Sequence, residues 1–359
     1  MLRREFLVAA GAALTVSACA GAAGRREDYA GYTAALRAPL RPEGGTPELI
    51  RFATLAPNGH NTQPWRFTES GRMIALHPDM TRRTPVVDPD DHHLFISLGA
   101  AAAHLELAGA AMGRSGRAEV RADGAVRYRW TPATPRESRL VAAIPARQST
   151  RSPFDGRDVA PQALRRLDTA ARAPGVRMVL LTGRPKLDPL ADLIVAANGV
   201  QMDTPEFVAE LKHWMRFNAA RAMATGDGLY TAASGNPVFP DVIGSVMFDA
   251  FFRKAAENRR YARQMASTPA AALFFAERAD PAHWTGLGMA VERFLLTATA
   301  EGLATAFVNQ PAEVAAYRQA LAALAGEPGL RPDLVIRVGH APRLPYAPRR
   351  PVSEVLLPG

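Results

Sequence analysis

Two polar motifs hold the side chains of this sequence that are best suited to bind a ligand. Residues 56–65 read Ala-Pro-Asn-Gly-His-Asn-Thr-Gln-Pro-Trp, and the Pro and Gly bend the backbone so that amides and the Asn and Gln side chains face one ligand. Residues 147–154 read Arg-Gln-Ser-Thr-Arg-Ser-Pro-Phe, and two Arg with a hydroxyl between them can grip a phosphate or another anion. Each motif also has a simpler interpretation, as a polar turn with a packed Trp or as a solvated basic loop.

Other arrangements of polar residues are less informative. Residues 348–355, Pro-Arg-Arg-Pro-Val-Ser-Glu-Val, could bind an anion or form an unstructured basic tail. Residues 88–93, Asp-Pro-Asp-Asp-His-His, are of metal-binding types, but adjacent side chains point in different directions. We therefore expect Asp90 or Asp91 to cap the following helix, and no metal site. The common hydrolase motifs Gly-x-Ser-x-Gly and His-Glu-x-x-His are missing from the sequence.

The elements that must position these motifs come in two similar sets. Residues 98–113 and 287–302 are small and apolar runs closed by Gly, and Leu, Gly and Ala recur in register at an offset of 189 (288 − 99). Two Ala-rich helices could also match by composition alone. Helices are predicted near 46–55, 93–113, 160–172, 204–220, 243–264, 284–302 and 312–325. Strands are predicted at 65–67, 73–77, 177–181, 271–276, 304–308 and 334–338.

This pattern predicts an α+β fold in two diverged halves. We place the first half at residues 28–135 and the second at 136–359, with residues 130–135 as the linker. The second half carries an additional insertion near residues 213–252.

Three segments together resemble the FMN-dependent nitroreductase family. Asn-Thr-Gln-Pro-Trp at 61–65 is similar to the loop with which that family contacts the flavin, residues 147–154 resemble its Arg-x-Ser-x-Arg stretch, and residues 348–355 resemble its basic tail. In an ordinary nitroreductase the Arg-x-Ser motif comes first, and two subunits complete each site. Here the loop comes first and the motifs lie in opposite halves, which resembles the Acg group. The resemblance implies a nitroreductase-like FMN-binding fold in which the halves form an intramolecular pseudo-dimer with one composite site.

The resemblance also implies which residues contact the cofactor. The FMN phosphate would be bound by Arg147, Ser149, and one or both of Arg349 and Arg350. The isoalloxazine ring would lie along Gln148 and Arg151. The loop of the other half would close the site with Pro57, Asn58, Gly59, His60, Asn61 and Gln63. The insertion would form a lid over the flavin. Because the flavin performs the chemistry, no catalytic residue is named.

The N-terminal residues 1–24 have the layout of an export signal, with a charged head, an apolar stretch and small residues. Arg-Arg-Glu-Phe-Leu at residues 3–7 resembles the signal read by the twin-arginine export machinery. The one cysteine, Cys19, lies in Val-Ser-Ala-Cys-Ala, which resembles a lipobox; ordinary cleavage beside small residues is the alternative. We expect an exported protein on the periplasmic or cell-envelope side, with membrane contact only through a lipid on Cys19.

Composition and charge exclude several classes of protein. With 359 residues, 48% hydrophobic content and a single Cys, the chain is neither disordered nor a disulfide scaffold. We expect no apolar segment long enough to span a membrane beyond the N-terminus. The net charge of +9 is spread over scattered Arg residues without interleaved aromatics, which favours a small anionic ligand over a nucleic acid.

We therefore expect an FMN-binding oxidoreductase of nitroreductase type that reduces a small aromatic electron acceptor, such as a nitro compound or a quinone, as a monomeric pseudo-dimer. Because nicotinamide cofactors are cytoplasmic, an exported enzyme would need another electron donor. A protein that stores or sequesters FMN under a closed lid is the first alternative. A flavin-free solute-binding lipoprotein is the second.

Overall fold

The computed structural model describes residues 24–358, so Cys19 and most of the predicted export signal lie outside the described residues. The strands, in chain order, are β1 Trp65–Ser70, β2 Met73–Pro78, β3 Arg114–Val120, β4 Val126–Pro132, β5 Val176–Thr182, β6 Met215–Arg216, β7 Leu229–Tyr230, β8 Ala270–Ala276, β9 Ala304–Phe307 and β10 Leu334–Gly339. The α-helices are α1 Arg26–Leu36, α2 Gly45–Thr54, α3 His92–Ala111, α4 Arg139–Ala143, α5 Pro161–Ala171, α6 Arg184–Met202, α7 Pro205–Trp214, α8 Ala219–Thr225, α9 Asp241–Phe251, α10 Lys254–Ala266, α11 Pro281–Ala300, α12 Gln310–Glu313, α13 Ala315–Leu324 and α14 Val352–Val355.

The two main sheets have four strands each and the same strand order. The first sheet is β1-β2-β4-β3 and the second is β5-β8-β10-β9, with antiparallel pairing throughout. In both sheets the second strand is followed by a 20-residue helix, α3 or α11, and then by the remaining two strands. This equivalence confirms an α+β fold built from two diverged halves that form an intramolecular pseudo-dimer.

The halves meet where α3 and α11 cross at two glycines. A Cβ atom on Gly99 would lie 1.9 Å from the carbonyl oxygen of Thr285, and one on Gly288 would lie 2.0 Å from that of Ile96. Thr285 and Ile96 are separated by the same offset as the glycines, 189 residues (285 − 96), so the crossing is symmetric. Because backbone touches backbone here, only glycine fits at either position. The sequence repeat therefore marks the contact between the halves.

The second sheet is buried on both faces. Phe274 of β8 packs in the large core shared with α3 and α11, whereas its neighbour Phe275 packs in a second core with Leu187 of α6 and Leu321 of α13. Successive side chains of a strand point to opposite faces, so a strand covered on both sides is apolar at every position. This explains the uninterrupted Ala-Ala-Ala-Leu-Phe-Phe-Ala sequence of β8.

Helix α3 differs from the sequence expectation in two ways. By length and composition it could cross a membrane, so the expectation that no such segment follows the N-terminus is wrong; however, 78% of its most apolar window is buried inside the protein, as in a core helix. Asp91 occupies the N-cap position, as predicted, with a left-handed φ of 62°, but its side chain pairs with Arg83 and makes no capping hydrogen bond. The Leu94 N–H donates to Asp88 Oδ2 at 3.1 Å, and Asp90 pairs with His92.

Two differences between the halves make the molecule asymmetric. The first half has a long loop, residues 55–64, before β1, whereas residues 172–175 suffice before β5. Conversely, β1 and β2 are joined by the short turn 71–72, whereas residues 183–269 separate β5 from β8 and include α6 to α10. The polar loop therefore occurs in the first half and the large insertion in the second.

The predicted strands are all present, but the strands β3, β4, β6 and β7 and the helices α1, α4, α6 and α14 were not predicted. Residues 130–132, assigned to a linker, belong to β4. Pro189 lies inside α6, and an internal Pro is a signal against a helix. The helices predicted over 204–220 and 243–264 are each divided in two, at residues 215–218 and 252–253.

Replacement of Gly99 by Ala tests the helix crossing. The added methyl group would overlap the Thr285 carbonyl, so we expect a loss of about 1–3 kcal/mol in the free energy of unfolding, the usual cost of overpacking, measured by urea denaturation. Gly286→Ala in α11 is the matched control, because nothing lies within 4 Å of a Cβ atom there, and it should stabilise the helix by about 0.5–1 kcal/mol. Equal stability of the two variants would contradict the crossing.

Candidate functional site

The polar loop of the first half has an unusual backbone. His60, Asn61 and Gln63 have positive φ angles of 48°, 54° and 54°, a region that residues other than Gly rarely adopt and that costs about 1–2 kcal/mol per residue. The carboxamide oxygen of Asn58 accepts a hydrogen bond from the Gln63 N–H at 2.8 Å and so closes the loop on itself. This strain persists because the surrounding structure holds the loop in place.

Asn61 and Gln63 supply that restraint. Asn61 Nδ2 donates to the carbonyl oxygens of Gly228 and Pro348 at 3.0 and 3.1 Å, and Gln63 Nε2 donates to that of Gly226 at 2.8 Å. The Gln63 side-chain oxygen accepts from the Arg350 N–H at 2.9 Å. These two amides thus join the loop to the insertion and to the C-terminal tail.

The second motif is fixed from both sides at Arg151. Arg337, fully buried in β10, donates to the carbonyl oxygens of Thr150 and Ser152 at 3.2 and 3.1 Å. Gln264 of α10 donates to the carbonyl oxygen of Arg151 itself at 2.6 Å. Burial lowers the pKa of Arg337 to about 10, so it stays charged at neutral pH. The backbone of Arg151 is therefore held while its side chain extends from it.

The loop and Arg151 line one cavity of about 280 Å³ between the halves. Five predicted residues contribute to its wall: Pro57, Asn58, Gly59, His60 and Arg151. The segment between β5 and β8, residues 183–269, also lines the cavity, with the apolar side chains of Phe207, Leu211, Met215, Leu229, Phe248 and Phe252. In the described part of the chain, the Arg151 guanidinium makes no hydrogen bond or ion pair. It is thus a cation that faces the cavity without a protein partner.

Arg147 and Arg349 lie outside this cavity. The Arg147 guanidinium donates to the Leu55 carbonyl at 2.7 Å and lies 3.4 Å from the buried carboxylate of Glu292. Arg349 donates to the carbonyls of residues 54–56 and to the side-chain oxygen of Asn61. These carbonyls end α2, where the helix dipole is negative and favours a cation. Both arginines thus hold the start of the polar loop.

The remaining predicted residues also point elsewhere. Gln148 exchanges two hydrogen bonds with the backbone of Leu344, at 2.8 and 3.1 Å. Ser149 pairs through its backbone with Thr305 of β9. Arg350 contacts Glu354 in α14. The contact of these residues with a phosphate or a flavin ring stays a prediction.

Two imidazoles of the cavity wall are neutral at physiological pH. Burial, together with the positive charge of Arg151, lowers the pKa of His60 to about 4. Burial and the neighbouring His92 lower the pKa of His93 to about 3. Each neutral ring therefore carries one N–H donor and one acceptor nitrogen.

The Asp-His-His run behind His93 converges more than expected. Asp88, His92 and His93 each bring a ligand-type atom within 4.8 Å of the others. His92 Nδ1 lies 2.7 Å from both Asp88 Oδ1 and Asp90 Oδ1. Burial opposes protonation of His92, but the two carboxylates outweigh it and raise its pKa to about 9. A protonated ring between two carboxylates is a buried ion pair, and we assign no metal role to it.

Sequence reasoning missed several polar residues of the cavity, namely Gln201, Glu257, Arg260, Tyr261, Asn309, Gln310 and Glu313. They come from α6, α10 and the segment after β9, far apart in sequence and without a motif.

No protein-family model matches the chain. Curated relatives do match: the Mycobacterium tuberculosis (strain ATCC 25618 / H37Rv) protein named "Putative NAD(P)H nitroreductase Rv3131" is 30% identical over 330 residues, 86% of this chain and 90% of the relative. The chain belongs to the nitroreductase family. A second protein of that strain, "Putative NAD(P)H nitroreductase acg", is 27% identical over 323 residues, 85% of this chain and 93% of the relative.

Among solved structures, the FMN-dependent nitroreductase NfnB from Mycobacterium smegmatis, in complex with NADPH, aligns with 62% of this nitroreductase-family chain and 98% of its own, at 17% identity and a TM-score of 0.41. The curated relatives match over most of both chains, so the similarity extends over both halves of this chain.

Replacement of Arg147 by Ala tests the structural role of this residue. The change leaves the buried Glu292 carboxylate short of a cation, so we expect a loss of about 3–5 kcal/mol in the free energy of unfolding. Arg157→Ala, which breaks an exposed pair with Asp155, is the control and should leave stability nearly unchanged. If Arg147→Ala unfolds at the wild-type urea concentration, the structural role is wrong.

Proposed function

We propose that this nitroreductase-family protein is an FMN-binding oxidoreductase whose flavin lies in the cavity between the halves. The observation that carries the proposal is Arg151, a cation that lines the cavity and has no acidic partner among residues 24–358. Burial lowers the pKa of Arg151, and Arg260 lowers it further, so an anionic ligand would relieve an unfavourable environment. FMN carries negative charge on its phosphate and, when reduced, on its ring.

The shape and chemistry of the cavity fit that cofactor. The lining combines the polar groups of Pro57–His60 and Arg151 with the aromatic rings of Phe248 and Phe252. A planar ring that is polar at one edge and apolar at the other suits such a lining. When bound, FMN supplies the electron-transfer chemistry, and the protein supplies position and charge.

We assign Arg151 and His60 to direct contact with the cofactor. Arg151 would donate charge-assisted hydrogen bonds and stabilise the negative charge of the reduced ring. Neutral His60, which approaches Arg151 without repelling it, would donate or accept one hydrogen bond. Arg147 and Arg349 would act by fixing the loop, and a phosphate contact from them, Ser149 or Arg350 stays a prediction.

The acceptor we propose is a small aromatic nitro compound or quinone. The relatives named above carry NAD(P)H in their names, but an export signal on this chain would separate it from cytoplasmic nicotinamide. For an exported protein we therefore propose a quinol or a partner protein as donor. We also propose membership of the Acg group, with halves at residues 28–135 and 136–359.

An FMN storage protein is the second candidate function. The insertion near residues 213–252 supports it, because Met215, Leu229, Phe248 and Phe252 cover the cavity as a lid would. Steady-state turnover of the FMN-loaded protein with quinol or chemical reductants separates the candidates, since measurable turnover removes the storage function.

The absorbance spectrum of the purified protein, after incubation with FMN and desalting, tests the cofactor. We expect flavin bands to be retained, and Arg151→Gln to weaken FMN binding by about 1.5–3 kcal/mol, the value of a charge-assisted hydrogen bond, in a fluorescence titration. Arg259→Gln removes an equal charge from the exposed side of α10 and should bind like wild type. A colourless wild-type protein would instead favour the solute-binding lipoprotein, and equal affinity of both variants would remove Arg151 from the site.

Export and lipidation are tested by labelling cells with a radioactive fatty acid. We expect label on the wild-type protein in the membrane fraction and none on Cys19→Ala, because the thiol is the predicted acylation site. Arg3→Lys with Arg4→Lys should retain the protein in the cytoplasm. Label that survives Cys19→Ala, or export of the double-Lys variant, would contradict these assignments.

A further inference from the structure

The cavity contains a carboxyl group for which the proposed cofactor contacts give no role. Glu313, the last residue of α12, lines the cavity with a side chain that is 14% exposed. Gln201 Nε2 of α6 donates to its Oε2 at 2.6 Å, and His93 Nδ1 of α3 lies 3.8 Å from its Oε1. No cation pairs with this carboxyl among the described residues, although Arg318 donates to its backbone carbonyl.

These surroundings favour the protonated form of Glu313. Burial is the largest influence and raises its pKa to about 7; the Gln201 hydrogen bond, His92 and Arg318 lower it, and Asp88 raises it. The nearest imidazole, His93, is neutral and so adds no positive charge. Near neutral pH, Glu313 therefore exchanges a proton readily.

The other titratable groups of the cavity are less suited to donate a proton. His60 and His93 are neutral, so neither carries the additional proton of an imidazolium. Burial raises the pKa of Glu257 as well, but Arg260 lies 3.8 Å away and favours its carboxylate. Burial raises the pKa of Tyr261, which makes its phenol a weaker acid still.

We propose that Glu313 is the proton donor of this cavity for acceptors whose reduction consumes protons, with quinones as the class. The proposal rests on the proposed flavin oxidoreductase function. A quinone takes up two electrons and two protons to become a quinol. The electron pair and one proton come as a hydride from the reductant, reduced FMN. The Glu313 O–H bond breaks to give the second proton to the quinone oxygen, and the carboxylate left behind is reprotonated from water.

The test compares two acceptors with opposite proton requirements. The FMN-loaded protein is reduced with dithionite and then mixed in a stopped-flow instrument with one of two acceptors. The first is a naphthoquinone, whose reduction consumes protons. The second is ferricyanide, which takes up one electron and no proton. Glu313→Gln keeps the size and neutrality of the protonated side chain, so it should fold and load FMN normally. We expect quinone reduction to slow by about 100-fold or more, in the range of general acid catalysis, and ferricyanide reduction to stay within about twofold.

An activity-independent measurement uses the protein without FMN. Infrared difference spectra between acid and neutral pH should show a protonated carboxyl in wild type that ionises near pH 7, and Glu313→Gln should lack this signal. The direction of the pKa shift also predicts how the free energy of unfolding depends on pH. Because the pKa of Glu313 is raised above its unfolded value, its stabilising contribution is present below about pH 4.5 and is lost as the pH rises through about 7. Glu313→Gln should therefore lose less stability than wild type over that interval.

The outcomes distinguish the two proposals. If the reduced wild-type protein reacts with neither acceptor, the oxidoreductase function and the donor role both fall. If wild type reduces the quinone and Glu313→Gln does so equally fast, only the donor role falls. Slowing by Glu257→Gln without slowing by Glu313→Gln, or the absence of the infrared signal from wild type, would also overturn the assignment to Glu313.

Discussion

The backbone contact between α3 and α11 is the constraint on which the rest of this structure depends. At Gly99 and Gly288 each helix lies against the carbonyl groups of the other, closer than any side chain would allow. One turn further along, His104 of α3 bonds Glu292 of α11 at 2.7 Å, and Glu292 in turn approaches Arg147. The spacing of the halves, and hence of the motifs that each half contributes, follows from this crossing.

The arginines near the cavity have two roles. Some hold the segments that form the site in place, and Arg151 lines the cavity itself. Arg337 and Arg349 each donate to several backbone carbonyls. Arg147 donates to the Leu55 carbonyl and lies beside the buried Glu292 carboxylate. These three arginines hold residues 150–152 and the strained loop 58–63 in place, and both segments contribute residues to the cavity lining. Arg151 alone, among the arginines of the two motifs, presents its guanidinium to that cavity. A rigid scaffold around a cation that has no acidic partner among residues 24–358 is what preorganised anion recognition requires.

Asymmetry between the halves explains how a pseudo-dimer can keep a single site. The polar loop precedes β1, whereas its counterpart before β5 is reduced to residues 172–175. The insertion that covers the cavity occurs between β5 and β8 and is replaced by a two-residue turn in the first half. Each half thus contains a component that the other lacks.

Periodicity and the repeat were enough to predict the α+β fold, the paired helices and six strands, because these depend on local pattern and on the glycine spacing. The hydrogen-bond partners of the polar side chains could not be predicted from the sequence. Asn61 and Gln63 have the right chemistry for a ligand, yet they bond backbone segments 226–228 and 348–350 that only the folded chain brings near. Glu313 belongs to no sequence motif. Its raised pKa results mainly from burial in the folded chain, which the sequence alone does not reveal.

We propose that the two halves build one flavin site per chain. Native mass spectrometry of the FMN-loaded protein measures this directly, because it counts both chains and bound flavins in one particle. We expect one FMN on a single chain. Two FMN molecules per chain, or a particle that binds FMN only as a pair of chains, would contradict it.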